Sequence, residues 1–189
     1  PLRLVGSEMC IRDRYKKILF MPQKLRILKF PDPKLRIVAK KVTKFDKSLE
    51  ILAEDMLHTM YEENGIGLAA TQIDNHIRLI VMDLSEERNE PMFFVNPTYK
   101  VLDNHSVASY EEGCLSIPGF NEEITRPDKI DLTWQDISGN THNERPEGLL
   151  TICIQHEIDH LEGKLMVDYI SPIKTVSYTH LTLPTKRIV

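Results

Sequence analysis

The chain has 189 residues, 41% hydrophobic and 28% charged, with a formal charge of −4. That is one domain's length with the composition of an ordinary globule, and the acidic balance argues against a non-specific nucleic-acid binder. No stretch approaches the roughly 20 apolar residues of a membrane span, no secretory leader is visible, and three cysteines make no disulfide framework. The expectation is a cytoplasmic protein.

The two ends are set aside first. Met9-Cys10-Ile11-Arg12-Asp13 can be encoded by a DNA string whose reverse complement encodes Val176-Ser-Tyr-Thr-His180. One segment read in both orientations at opposite ends is a property of library adaptors rather than of proteins. Residues 1–14 and 176–189 are therefore expected to be non-native, leaving 15–175 as a single domain. Cys10 then leaves the cysteine count, and Cys114 and Cys153 remain.

Residues 24–42 mix short apolar runs with Pro31, Pro33 and many lysines, which predicts an extended leading segment. From Asp46 to Glu63, Leu49, Leu52, Ala53, Met56, Leu57 and Met60 recur at helical spacing, with Asp46 or Ser48 as cap and Asn64-Gly65 as stop. Strands are expected at 78–83, 92–95, 98–102 and 129–135, the last turning through Ser138-Gly139-Asn140 into 141–144. His76, His105 and His142 fall in polar turns and read as exposed. From Pro146 or Gly148 to Gly163 the pattern is helical again, and apolar enough in its first half to be buried.

That last helix carries His156-Glu157-Ile158-Asp159-His160. Residues four apart on a helix face the same way, so both imidazoles can meet one divalent ion, and Glu157 can reach a water on it as general base. Two histidines could instead make ordinary hydrogen bonds, but imidazoles set against a core need partners, and a metal supplies one. Catalytic sites of this kind use three protein ligands. Cys114, in Glu111-Glu112-Gly113-Cys114-Leu115-Ser116, is the leading third candidate; Cys153, one turn before His156, is the alternative, with a buried thiol as its default role. Gly65-Ile66-Gly67-Leu68-Ala69-Ala70-Thr71-Gln72 allows close backbone approach, and Gln72 can donate to a developing oxyanion.

The segments GIGLAATQ, EGCLSIPG and QHEIDHLEG, in this order, resemble the three signature motifs of the peptide deformylase family, and the similarity runs from about Lys24 to Thr175. The resemblance implies a hydrolase that removes the N-formyl group from the initiator methionine of new polypeptides and releases formate. It implies an α+β fold in which the metal-binding H-E-x-x-H helix is surrounded by short, mostly antiparallel sheets, with an amphipathic helix on the N-terminal side. By matching position, Cys114, His156 and His160 become the ligands and Glu157 the acid/base. Gln72 and the Leu115 N–H become oxyanion donors, and Gly65, Ile66, Gly67, Leu149, Ile152 and Cys153 shape the substrate groove.

The implied cofactor is one divalent ion, Fe2+ in the cell, with Zn2+, Ni2+ or Co2+ also suited to the donors. The implied partners are N-formylmethionyl nascent peptides and, near the exit tunnel, the ribosome. The chain departs from the family in two places. Phe120-Asn121-Glu122-Glu123 occupies a stretch where a basic residue is common, with Arg126 the nearest cation, and the family's final helix beyond Ser171-Pro172 is expected to be missing. The rival enzyme class, an H-E-x-x-H metallopeptidase, lacks a suitably spaced downstream ligand. A structural metal module would have only Cys153 as its fourth.

Overall fold

The computed structural model describes residues 21–170. The expectations about both ends and about the family's final helix lie outside them. Helix α1 spans Lys47–Glu62, and the Asp46 carboxylate caps it by accepting from the Ser48 and Leu49 amides. It buries Leu49, Ala53, Met56, Leu57 and Met60 of the stripe that the spacing predicts, and Leu52, half-buried, packs at the stripe's edge. Asn64, at φ 57°, takes the left-handed turn that ends it.

A five-stranded antiparallel sheet follows in the order β1-β2-β3-β6-β7, formed by Gly67–Ala69, Leu79–Met82, Met92–Val101, Ile130–Gln135 and Thr141–Glu144. All four residues of β2 are buried. Leu79 and Val81 face the cluster built on α1, while Ile80 and Met82 face the cluster of Ile154, Ile158 and Leu161. Those three belong to helix α2, Gly148–Leu161. A strand apolar on both sides lies between two helices because alternate side chains leave opposite faces.

Residues 92–95 and 98–102, expected as two strands, form one. The register shifts between Val95 and Thr98, and Asn96 sits at φ 53° with Pro97 behind it. Proline has no N–H to give a ladder, so a bulge accommodates it. The Asn96 side chain uses the bulge to hold the leading segment, accepting from the Val42 amide at 2.8 Å and donating to the Val42 carbonyl at 2.9 Å.

A separate two-stranded hairpin pairs β4, Val107–Cys114, with β5, Ile117–Pro127. Only Leu115 and Ser116 stand between them. The hairpin had no counterpart in the sequence reading. Its outward residues Ser109, Glu111, Asn121, Glu123 and Thr125 are exposed and polar, so no alternation of apolar residues marks it. Leu28, Leu35, Ile117, Leu165, Met166 and Val167 form a third core that fastens the leading segment to this hairpin. Among the other histidines, His105 and His142 are exposed and His76 is half-buried. No helix among the described residues is long and apolar enough to cross a membrane.

Candidate metal centre

Helix α2 enters the space between the large sheet and the hairpin, and every residue from Ile154 to Leu161 is buried. Its two histidines, one turn apart, lie edge to face with ring centroids 5.0 Å apart. The hairpin delivers Cys114 at its tip, with Sγ 3.2 Å from His160 Nε2. One donor atom from each of Cys114, His156 and His160 lies within 4.8 Å of the others. Donors that share one ion at roughly 2.0–2.3 Å stand a few ångströms apart, as these do. A thiolate with two imidazoles is a donor set for a borderline-soft divalent ion, and the two sulfur and nitrogen chemistries fit it. Cys153 is not in this group. Burial, with the charges of Glu157 and Glu112, pushes its thiol up to about 12, so it stays protonated.

Glu157, buried between the histidines and β1, completes the centre. Its Oε2 has no hydrogen-bond partner among the described residues, and neither does His160 Nδ1. Burial pushes the Glu157 carboxyl up to about 7, opposed by the His156 charge and assisted by Glu112. Burial lowers the pKa of His160, and the charge of His156 adds to the shift. For His156 burial opposes the cation, but hydrogen bonds to Cys114 and Glu112 outweigh it and raise the pKa.

Around this centre the structure assembles charges that carry no signal in the sequence. His156 Nδ1 lies 2.8 Å from Glu112 Oε2, which leaves its other ring nitrogen for the centre. Arg126 grips Glu112 through Nε at 2.6 Å and Nη2 at 3.0 Å, and donates to Asp159 Oδ2 through Nη1 at 2.8 Å. The Tyr169 hydroxyl donates to the same Asp159 oxygen at 2.8 Å, and its ring lies under the guanidinium, 5.2 Å away. Arg126 is thus buried and engaged on all sides. Arg126, the nearest cation in sequence to the 120–123 stretch, is turned inward: its side chain is 3% exposed and braces helix α2 through Asp159. An arginine and an acid 14 residues apart, in a stretch without alternating apolar residues, give no sequence signal of this pairing.

The centre opens onto a cavity of about 470 Å3. Cys114, Leu115, Gln72, His156 and Glu157 line it, and so do Gly65, Ile66, Gly67, Leu149, Ile152 and Cys153; His160 lies behind them. Gln72 is oriented by its neighbours. Its Oε1 accepts from the Ala69 amide at 2.8 Å, so Nε2 is turned toward Ser116 Oγ at 3.1 Å and the Cys114 sulfur at 3.7 Å. The Leu115 N–H donates to no acceptor outside the β-ladders among the described residues.

Gly67 explains why a small residue stands opposite Glu157. A Cβ there would lie 2.6 Å from Glu157 Oε1 and 3.1 Å from its Cδ. Gly67→Ala must displace the carboxyl group, and if that carboxyl takes part in a reaction a misplacement of about 1 Å costs on the order of 10²-fold in rate. We expect kcat to fall by about that factor with metal content unchanged. Wild-type kcat in the alanine variant would show that the carboxyl position is uncritical.

A cysteine sulfur and two imidazoles beside a buried carboxyl, one of whose oxygens has no partner among the described residues, at the wall of one cavity belong to the class of metal-dependent hydrolases. The model of the polypeptide deformylase family matches residues 24–176. The peptide deformylases of Cellvibrio japonicus and Pseudomonas aeruginosa are each 53% identical over 150 residues, 79% of this chain and 88% and 89% of theirs. The crystal structure of a Legionella pneumophila peptide deformylase superposes with a TM-score of 0.77 at 42% identity, covering 83% of this chain and 92% of that one. The Ehrlichia chaffeensis enzyme, solved in complex with actinonin, gives 0.81 at 34% identity, covering 87% and 99%. The chain belongs to the polypeptide deformylase family. It is a metal-dependent hydrolase of nascent polypeptides, with the family's mixed fold of helices and antiparallel sheets, and the reaction is removal of the N-formyl group.

Proposed function

We propose that Cys114, His156 and His160 hold one divalent ion, and that Glu157 carries the proton in deformylation of an N-terminal formylmethionine. The observation that carries this reading is the unpartnered Glu157 oxygen, buried beside three convergent donor atoms at the wall of one cavity. When bound, the ion supplies Lewis acidity, which makes a water molecule nucleophilic near neutral pH. Iron(II) is the proposed ion in the cell; zinc, nickel and cobalt suit the same donors.

The residues divide the remaining work. Glu157 removes a proton from the attacking water as its oxygen bonds to the formyl carbon. Negative charge grows on the formyl oxygen, where the Gln72 amide and the Leu115 N–H donate. As the carbon–nitrogen bond breaks, Glu157 returns the proton to the leaving nitrogen, giving formate and a free amino terminus. A carboxyl whose pKa lies near neutrality can serve in both directions. Leu149, Ile152 and Cys153 offer an apolar wall for the methionine side chain, and Gly65, Ile66 and Gly67 lie along the path of the peptide. A formyl group presents only hydrogen beyond its carbonyl, so a tight wall rejects bulkier acyl groups sterically.

Residues 15–175 form the proposed catalytic domain, with 1–14 and 176–189 adaptor-derived; the family match over 24–176 and the inverted coding of the ends support this. The cytoplasm, where formylated chains leave the ribosome, is the proposed location. Any ribosome contact made beyond Ile170 falls outside the described residues.

The test is formate release from a formylmethionyl peptide by protein loaded anaerobically with iron(II), with an acetylated peptide as control. Turnover should require the formyl group and cease on chelation. Cys114→Ser should lower metal content and turnover together, whereas Cys153→Ser should leave the metal bound. The opposite cysteine pattern assigns the ligand to Cys153, and chelator-resistant turnover removes the metal reading.

A further inference from the structure

The two groups proposed to receive the oxyanion stand on different parts of the chain: Gln72 on the turn after β1, Leu115 on the two-residue link between β4 and β5. Three consecutive residues of the leading segment join these turns. The Leu28 amide donates to the Gln72 carbonyl at 2.7 Å, and the Phe30 amide donates to the Ser116 carbonyl at 2.9 Å. Between them, Lys29 sends its ammonium to the Leu115 carbonyl at 2.6 Å. The backbone bonds on either side need no particular side chain. The lysine bond does.

The alternation of an extended segment sets its direction. Leu28 is buried and Phe30 packs on the third core, so Lys29 projects the other way, to the cavity wall. Among the described residues lining that cavity it is the only lysine or arginine. Glu63, an acid on the same wall, is held by Lys24 at 2.7 Å, which leaves the Lys29 ammonium to the carbonyl. A hydrogen bond from a charged donor is among the stronger kinds, and it restrains a link of only two residues.

We infer that Lys29 is a positioning residue for deformylation: its ammonium fixes the Leu115 carbonyl and thereby aims the Leu115 N–H at the formyl oxygen. The inference rests on the oxyanion assignment proposed above. It concerns a residue that touches neither the ion nor, by this geometry, the reacting carbon. Its effect should therefore fall on the rate of the chemical step and not on peptide affinity or metal occupancy.

The experiment compares Lys29→Met, Lys29→Arg and Gln72→Leu in metal-loaded protein, measuring kcat, KM, metal content and melting temperature on one formylmethionyl peptide. Lys29→Met should lower kcat by about tenfold with KM and metal content unchanged, because a slack donor loses part of its alignment. Lys29→Arg, which keeps a cationic donor, should restore most of the loss. Gln72→Leu should lower kcat on its own account. A loss at Gln72 with wild-type kcat in Lys29→Met overturns the inference alone. No loss in either variant overturns the oxyanion assignment and the inference with it. A rise in KM at constant kcat in Lys29→Met also overturns it, since that would make the lysine a grip on the peptide. So does a kcat loss that arginine fails to restore.

Discussion

Glu157→Gln is expected to retain its metal and lose almost all turnover, on the order of 10³-fold or more, because the proposed mechanism routes both proton transfers through this carboxyl. The substitution keeps shape and volume while replacing the ionisable carboxyl, which can accept and return a proton, by an amide that cannot. Metal analysis of the purified variant separates this outcome from loss of the centre, and retained turnover would take Glu157 out of the reaction. The same variant has a stability signature in metal-stripped protein. The folded carboxyl titrates at about 7 against an ordinary value of 4.5, so the wild type carries a penalty that begins above the unfolded pKa and is complete above the folded one. The glutamine variant should therefore melt higher than wild type at pH 8, by up to about 3 kcal/mol of stability, and the gap should close near pH 4. An equal gap at both pH values would mean that burial of this carboxyl is not its source.

What the sequence discloses and what it hides divides along a physical line. Helix α1, helix α2 and strand β2 were legible because a buried face leaves a periodic trace: Leu49, Ala53, Met56 and Met60 on one, the run Leu79–Met82 on another. The centre was legible because four of its members, Cys114, His156, Glu157 and His160, are chemically marked and two share a helix face. The hairpin was not, since its inner residues include Glu112 and Arg126, which look solvent-exposed in a string of letters but are paired inside the fold. Asn96 and Pro97 read as a strand break, and only the partner strand shows that the break is a bulge. Lys29 belongs to the same hidden category. Nothing in Leu28-Lys29-Phe30 indicates that its ammonium reaches a turn 86 residues away.

Arg126→Met should be the most damaging substitution outside the centre itself. The guanidinium is buried with both of its acids: the side chains of Arg126, Glu112 and Asp159 are only 3%, 6% and 6% exposed. Methionine fills much of the volume but leaves two carboxylates in the interior without the cation, and breaking a buried pair in this way costs about 3–5 kcal/mol. Arg126→Lys should recover little, because a single ammonium cannot reproduce the fork that meets Glu112 twice and Asp159 once. The pH dependence has a definite sign. Burial raises the pKa of Glu112, but its bonds to His156 and Arg126 prevail and hold it below the ordinary value. Its contribution is therefore present above the unfolded pKa and fades as the pH falls through the folded one. The gap between wild type and Arg126→Met should be widest near pH 7 and narrow below about pH 4.5. Metal affinity should drop as well, by roughly 10–100-fold, since Glu112 would lose the partner that holds it against His156 Nδ1. Urea unfolding at the two pH values, with metal titration at the higher one, measures both effects. A loss under about 1 kcal/mol at neutral pH would mean that water reaches the two acids and that the ligand helix does not depend on this arginine.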